Sequence, residues 1–284
     1  MIRVALGQSK MSTRPLAAFL HLIVYVGFIL INIELLEIVL DGLIGSHRLF
    51  APFLGRSYNF LIGSFEVFAF LVLISVIVFW TRRNVVRIKR FWKPEMKGWP
   101  KRDADFILYF EVVLMLLFLS MNATDSILQD RGVETYINAG SFPISQFLYP
   151  LFDGLSDQAL IIFERSFWWL HILGILIFLN YLFYSKHLHI LLAFPNTFYA
   201  NLEPEGRFEV DSHIKNEVML MMHPEKEISE NKASPPDKFG ANDIFDLKWT
   251  QLMNAYSCTE CGRCSDVCPA NQTGKKLSPR KIMM

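Results

Sequence analysis

The sequence predicts an all-α membrane protein, in which a bundle of four transmembrane helices is followed by a small helical segment near the C-terminal end. Hydrophobic residues make up 52% of the 284 residues and are concentrated in long uninterrupted blocks. A bilayer requires about 20 consecutive apolar residues per spanning helix. From about residue 201 onward the chain is polar, and this part carries all four cysteines.

The first three apolar blocks each approach the length of a membrane span. We place these spans at residues 15–40, 59–80 and 106–121, the third being the shortest. Pro15 is compatible with the first turn of a helix. Basic residues before the first span imitate a signal peptide, but the apolar run is too long and lacks a small-residue cleavage site. We therefore expect this segment to be retained as a helix.

The fourth block, residues 166–195, carries a histidine near each end. An α-helix turns about 100° and rises about 1.5 Å per residue, so the separation of His171 and His189 (189 − 171 = 18 residues) equals about five turns. Both imidazoles would lie on one face, about 27 Å apart, which is close to the thickness of the hydrocarbon core. His187 would point about 160° away. The spacing favours a support for two stacked haems, and the alternative is two interfacial histidines without a ligand.

The charges of the loops predict the orientation. Residues 81–102 contain nine lysines and arginines and one glutamate, whereas the loop after the third span is acidic. The positive-inside rule places the basic loop in the cytoplasm, so both termini are cytoplasmic. We expect a multi-pass protein of the bacterial inner membrane. Two semi-apolar stretches of the acidic loop, residues 141–152 and 157–167, are too short to span and are expected to lie at the interface.

The most specific motif is Cys258-x2-Cys261-x2-Cys264-x3-Cys268-Pro269. This spacing is that of the bacterial ferredoxin run, which binds a cubane iron–sulfur cluster. The clustering of all four cysteines argues against a disulfide framework and for a compartment in which thiols stay reduced. The alternative is a four-cysteine zinc site, although zinc ribbons favour two separated pairs.

The last cysteine of such a run usually ligates a second cluster. Either Cys268 binds the same cluster as the other three cysteines, or a second run lies on further sequence or on a partner. We expect further sequence, because the final residues show no helix stop signal.

A haem b with two histidine ligands needs neutral imidazoles from facing helices. We pair His21 with His189 near the inner surface and His47 with His171 near the outer surface. His187 is the substitute for His189 if the register differs.

Glutamates within membrane spans are costly unless they are buried against partners. The functional interpretation is proton transfer or hydrogen bonding to a quinone, and the alternative is a polar contact within the bundle or access to water. The residues are Glu34, Glu37, Glu66 and Glu111.

Residues 245–284, including SCTECGRCSDVCPANQTGKK, resemble the iron–sulfur region of membrane-bound heterodisulfide-reductase-like oxidoreductases, closest in style to the electron transfer flavoprotein–menaquinone oxidoreductases. The membrane part, with SKHLHILLAFPN, resembles the cytochrome b (gamma) subunit of respiratory nitrate reductases. This resemblance implies that the last helix supplies ligands to two haems b, with the second ligand at His189. The resemblance to the heterodisulfide-reductase-like oxidoreductases also implies a second cysteine run and a cysteine-rich domain, which residues 1–284 do not contain.

The predicted organisation is a transmembrane cytochrome b domain at residues 1–200, a polar linker at 201–242 and a ferredoxin-like iron–sulfur segment, truncated, at 243–284. A short structured turn is expected around EVMLMMH in the linker.

Together these observations predict a membrane-bound electron-transfer oxidoreductase with a [4Fe-4S] cluster and two haems b, which exchanges electrons with menaquinone or ubiquinone. The resemblance implies electron transfer flavoprotein as the soluble partner, and we expect no nucleic-acid partner. One alternative is a quinol-oxidising subunit that feeds a heterodisulfide or thiol reductase. The other is a non-enzymatic membrane anchor or redox sensor with a four-cysteine metal site. The sequence leaves the direction of electron flow open.

Overall fold

A computed structural model describes residues 1–202, 212–223 and 241–284, and all regular structure in these ranges is helical. The predicted all-α class is confirmed for these residues. The α-helices are α1 (Pro15–Ile44), α2 (Ala51–Leu54), α3 (Arg56–Asn84), α4 (Trp99–Asp130), α5 (Tyr149–Phe152), α6 (Asp157–Leu182), α7 (His189–Phe198), α8 (Ser212–Met222), α9 (Trp249–Tyr256), α10 (Arg263–Val267), α11 (Pro269–Gln272) and α12 (Pro279–Met283). A π-helical turn forms at Ile2–Leu6, and 3₁₀ turns form at Lys89–Phe91, Pro94–Met96, Ser145–Leu148, Lys186–Leu188 and Ile244–Asp246.

The chain divides into two compact units. The larger unit contains residues 2–188 and 259–284, and the smaller one contains residue 1 and residues 189–258. In the smaller unit the rings of Tyr199 and Trp249 meet edge to face, with their centroids 4.8 Å apart. Residues 203–211 and 224–240 of the predicted linker lie outside the described residues, and α8 lies between them.

Among the described residues, four helices are long and apolar enough to cross a membrane, namely α1, α3, α4 and α6. This confirms the predicted number of spans. Within the larger unit α1 packs against α3, α3 against α4, and α4 against α6. The core contains fully buried side chains such as Phe65 and Phe118, whereas Phe60 is 80% exposed on the surface of the bundle. Such an apolar surface suits contact with lipid.

The single helix predicted over residues 166–195 is wrong. The helix α6 begins at Asp157 and ends at Leu182, and His189 begins a separate helix, α7. Residues 157–167, predicted to lie at the interface, are therefore the first turns of α6. Ser156 caps the helix, because its side chain accepts a hydrogen bond from the backbone N–H of Ala159.

The Asp103 carboxylate on α4 explains where α6 ends. This side chain is 1% exposed and accepts hydrogen bonds from the Tyr181 hydroxyl (2.6 Å) and from the backbone N–H of Lys186 (3.1 Å). The Ser185 hydroxyl also accepts a hydrogen bond from the N–H of His187. Side chains that bind backbone N–H groups compete with a helix for them, so the chain turns after Leu182. His171 and His189 therefore lie on two different helices and do not share one helix face.

Glycines allow close approach between neighbouring spans. A Cβ atom at Gly27 on α1 would lie 2.7 Å from Cγ2 of Val72 on α3. A Cβ atom at Gly174 on α6 would lie 2.8 Å from Cδ2 of Leu114 on α4. The helix pairs could not keep their present separation with larger residues at these positions.

We therefore expect Gly27→Leu to lower the free energy of unfolding by about 1–3 kcal/mol, because the added side chain overpacks the contact with Val72. Thermal unfolding in detergent micelles measures this change. Gly154→Leu is the matched control, because no atom lies within 4 Å of a Cβ at that position. Equal unfolding temperatures for the two variants would contradict the packing argument.

Candidate functional site

The cysteine run forms a loop followed by two short helices. Glu260 and Gly262 both have left-handed backbone conformations, with φ of 48° and 71°, and α10 begins directly after Gly262. Cys261 and Cys268 are half-buried, whereas Cys264 is exposed. The boundary between the two compact units falls within the run, directly after Cys258.

The cysteines do not form a ready-made metal site. No three His, Cys, Asp or Glu side chains come close enough to hold a metal ion in the part of the chain that the structure describes. The chemistry of the donor set nevertheless fits an iron–sulfur cluster, because four thiols with this spacing are its usual ligands. The four cysteines are the residues that would hold it.

Buried charges attach the cysteine segment, which we define as residues 259–284, to one end of the helix bundle. The Glu260 carboxylate accepts a hydrogen bond from Nζ of Lys186 (3.1 Å) through Oε2 and another from the Arg280 guanidinium through Oε1. All three side chains are at most 10% exposed. Lys186 also donates to the carbonyl oxygen of Pro100 and lies 3.7 Å from a carboxylate oxygen of Asp103. Lys186 thus connects the end of α6, the start of α4 and the cysteine segment.

Burial and neighbouring carboxylates have opposite effects on the pKa of Lys186. Burial lowers the pKa of this ammonium group, and the carboxylates of Glu260 and Asp103 act in the opposite direction. Both carboxylates therefore help to keep this buried lysine charged.

The basic loop between α3 and α4 forms the rest of this contact. Lys93 donates to the carbonyl oxygen of Ser265 (2.9 Å) and to the side chain of Asn271. The backbone also comes very close, since a Cβ atom at Gly262 would lie 2.9 Å from the carbonyl oxygen of Arg90. A glycine at position 262 is therefore favoured for two reasons. Its backbone is left-handed, and a side chain would collide with the carbonyl oxygen of Arg90.

His171 is buried within the bundle, and a backbone carbonyl orients its ring. It is 2% exposed, and its Nδ1–H donates to the carbonyl oxygen of Leu114 (3.1 Å). A hydrogen bond of this kind fixes the tautomer in which Nε2 carries a lone pair, as in histidines that bind metals. The ring also packs against Phe118, with 5.7 Å between the centroids.

His47 does not fit as a haem ligand in this arrangement. Its Nδ1 accepts a hydrogen bond from the backbone N–H of Ile137 (3.1 Å), and its Nε2 lies 3.0 Å from Oδ1 of Asp125. Both ring nitrogens are therefore engaged by protein atoms. Within the described residues, no hydrogen bond or ring contact joins His47 to His171, its predicted partner.

The other predicted haem residues lie as follows. His21 is on α1, where its Nδ1 is 3.0 Å from Oε1 of Gln8. His189 is the first residue of α7 and belongs to the smaller unit, so its pairing with His21 stays a prediction. His187 lies edge to face against Phe178, with 5.5 Å between the centroids.

A buried polar network occupies the opposite end of the bundle, where α1 and α4 end and α6 begins. Arg48 donates through Nε to Oδ2 of Asp125 (2.9 Å) and through Nη1 to the Tyr58 hydroxyl (3.2 Å). Tyr58 in turn donates to Glu37, which also accepts from the backbone N–H of Phe50. Burial alone would lower the pKa of Arg48, but the Asp125 carboxylate raises it, so the pair is charged.

The span glutamates therefore differ in their surroundings. Glu37 belongs to this network, and Glu66 accepts hydrogen bonds from Asn122 and from Ser145. The contacts of Glu37 and Glu66 are therefore those of the structural alternative, a polar contact within the bundle. Glu34 is 4% exposed, but its Oε2 has no hydrogen-bond partner in the described part of the chain.

A cavity of about 310 Å³ lies at the same end of the bundle. Its lining includes residues of α1, α4, α6 and the loop after α1, among them Glu34, Glu37, Asp41, His47, Arg48, Asp125, Glu164, Arg165, Trp168 and Trp169.

Sequence reasoning identified the span glutamates and His47 but missed Arg48, Asp125, Trp168, Lys186, Glu260 and Arg280. An acidic residue inside the cysteine run, at Glu260, was the one local signal available.

Comparison with known proteins gives three relatives. No family model matches the chain, and no solved structure matches it. By name, the curated proteins to which it is similar are an iron–sulfur-binding oxidoreductase, a quinone oxidoreductase and a membrane-anchored ferredoxin.

The relatives are as follows. The chain is 30% identical over 281 residues to a probable iron-sulfur-binding oxidoreductase, FadF, of Bacillus subtilis (strain 168). The aligned region covers 98% of this chain and 35% of that protein. It is 26% identical over 283 residues to the EtfAB:quinone oxidoreductase of Syntrophomonas wolfei subsp. wolfei, which covers 96% of this chain and 35% of that protein. Over 44 residues it is 45% identical to a probable membrane-anchored ferredoxin of Chromohalobacter salexigens, with 16% of this chain and 7% of that protein covered. The chain thus spans about a third of the length of the first two relatives.

The attachment of the cysteine segment can be tested at Glu260. We expect Glu260→Gln to cost about 3 kcal/mol locally, because it removes the carboxylate that pairs with the buried Arg280 and Lys186. Amide hydrogen exchange of residues 259–284 should become about a hundredfold faster.

Asp266→Asn in the same segment is the matched control, because the ion pair of Asp266 with Arg14 is 3.8 Å long and 40% exposed on both sides. Exposed pairs of this kind contribute little. Unchanged exchange in Glu260→Gln would show that the buried carboxylate does not hold the segment.

Proposed function

We propose that this chain is the membrane-embedded part of an iron–sulfur oxidoreductase that exchanges electrons between a soluble flavoprotein and membrane quinone. The observation that carries the proposal is the attachment of the cysteine segment to the end of a bundle of four apolar helices through Lys186, Glu260 and Arg280. Such an attachment suits a protein that moves electrons between a soluble partner and the membrane.

The cofactors belong to the proposal. Cys258, Cys261, Cys264 and Cys268 would hold a [4Fe-4S] cluster, and His21, His171 and His189 are the proposed ligands of haem b. When bound, an iron–sulfur cluster and a haem b each accept and release single electrons. The hydrogen bond of the His171 ring to the Leu114 carbonyl supports a haem ligand, because it orients the ring and leaves Nε2 as the ligating nitrogen.

The partners are proposed from the relatives. The similarity to an EtfAB:quinone oxidoreductase supports electron transfer flavoprotein as the soluble partner and menaquinone or ubiquinone as the membrane substrate. The basic loop of residues 81–102 supports a bacterial inner-membrane location with both termini in the cytoplasm. The opposite direction of flow, in which quinol is oxidised to feed a heterodisulfide or thiol reductase, uses the same groups.

The first test concerns the metal. We expect the purified chain to contain iron and acid-labile sulfide, and Cys261→Ser to lose most of both, because a thiolate ligand is replaced by a weak one. Elemental and sulfide analysis measures the loss, with Thr259→Ser in the same loop as the control. Zinc without sulfide would instead favour a non-enzymatic membrane anchor or sensor with a four-cysteine metal site.

The second test concerns haem. We expect reduced-minus-oxidised difference spectra of the purified chain to show b-type bands, and His171→Ala and His189→Ala each to lose haem. His47→Ala should keep its haem, because both ring nitrogens of His47 are engaged by Ile137 and Asp125.

The control for both losses is His223→Ala, a histidine just after α8 that we assign no ligand role. Absence of haem from the wild-type protein would contradict this part of the proposal, and unchanged haem in His189→Ala would remove that residue as a ligand.

A further inference from the structure

The cavity at the end of the bundle opposite the cysteine segment contains a buried group that the protein itself leaves unmatched. Glu34 lines this cavity and is 4% exposed, yet its Oε2 has no hydrogen-bond partner among the described residues. Glu37 and Glu164 line the same cavity and have partners, since Tyr58 donates to Glu37 and Tyr136 donates to Glu164. Buried polar groups are almost always hydrogen-bonded, so a carboxyl group that lines a cavity and keeps one oxygen unmatched is able to bind a ligand there.

The charges around the cavity exclude an anionic ligand. Five carboxyl groups line it, and only Arg48 and Arg165 oppose them. Arg48 is already engaged by Asp125 and Tyr58, and Arg165 lies 3.2 Å from a carboxylate oxygen of Glu164. A negatively charged ligand would find no available cation and would meet excess negative charge.

A metal-containing occupant is also disfavoured. The histidine that lines the cavity is His47, and protein atoms engage both of its ring nitrogens. A haem would find no imidazole nitrogen there.

The surroundings of the cavity favour a ligand that dissolves in the membrane. Leu43 and Ile44, next to the lining residues Gly42 and Gly45, are 79% and 63% exposed, and Trp169 is 56% exposed. Trp168 and Trp169 offer indole rings to a flat molecule, and aromatic rings pack well against each other. A neutral, flat and apolar molecule that carries a hydrogen-bonding oxygen meets all of these conditions.

We infer that this cavity binds the ring of a quinone or quinol, with one ring oxygen hydrogen-bonded to Glu34 and the ring packed against Trp168 and Trp169. A carboxyl group suits both forms of the ligand, because it donates to a quinone carbonyl when protonated and accepts from a quinol hydroxyl when ionised. The choice of the quinone class rests on the proposed function, whereas the location rests on Glu34 and the lining of the cavity.

Equilibrium dialysis of oxidised menadione against the full chain in lipid nanodiscs tests this inference, with empty nanodiscs as the blank. Glu34→Leu should weaken binding about tenfold, the effect of one lost hydrogen bond to a buried group. Glu34→Gln should restore most of the affinity, because its amide still donates to a carbonyl oxygen. Glu111→Leu is the matched control, since it removes a glutamate of α4 that does not line the cavity.

Two results would overturn the inference. One is the same menadione affinity in Glu34→Leu as in the wild type, and the other is an equal loss in Glu34→Leu and Glu111→Leu. If Glu34→Leu does not fold, Trp169→Ala takes its place, because that side chain is more than half exposed and its removal spares the core. Weaker binding in Trp169→Ala would support the site, and unchanged binding would overturn it.

Binding is measured without an electron donor, so it is independent of the proposed function. If menadione binding depends on Glu34 but the whole enzyme passes no electrons from a flavoprotein to quinone, the proposed function falls and the site stands. If electrons pass but binding does not depend on Glu34, the site falls and the proposed function stands.

Discussion

The buried carboxylate of Asp103 is the interaction on which the arrangement of the larger unit depends. It accepts a hydrogen bond from Tyr181 in the last turn of α6 and another from the backbone N–H of Lys186, so it joins α4 to the end of α6. It also lies beside the Lys186 ammonium group, which reaches Glu260 in the cysteine segment. One carboxylate thus fixes the end of a spanning helix and positions the lysine that contacts the cysteine segment. Without it, the helix could continue and Lys186 would point elsewhere.

The two ends of the bundle solve the same problem in different ways. A charge among apolar helices must be paired, because an unpaired one is very costly to bury. At the cysteine end, Lys186, Glu260 and Arg280 form a closed arrangement of opposite charges. At the other end Arg48 and Asp125 are paired, but Glu34, which lines the same cavity, has one oxygen without a hydrogen-bond partner in the described part of the chain. The first end is built to hold a segment of the protein, and the second has the chemistry to receive a molecule from outside it.

Local signals made the fold class predictable, and long-range contacts made the rest unpredictable. The four spans are visible because each is a long apolar block, and the cysteines are visible because their spacing is contained within eleven residues. The end of α6 depends on Asp103, which is distant in sequence, so periodicity alone extended that helix too far. Likewise, nothing near His47 in the sequence reveals that Asp125 and Ile137 engage its ring. Glu34 and Glu37 look alike in the sequence, and only tertiary contacts distinguish them.

The contact between Gly262 and the carbonyl oxygen of Arg90 has a consequence for protein engineering. The basic loop that carries Arg90 is of the kind usually regarded only as a determinant of membrane topology. Here its backbone also packs closely against the cysteine loop. Transferring residues 243–284 alone to another protein would remove this packing, so we expect that residues 83–103 would have to be transferred as well. Similarly, a charge change at Lys93 made to invert the topology would also remove its hydrogen bonds to Ser265 and Asn271 in the cysteine segment.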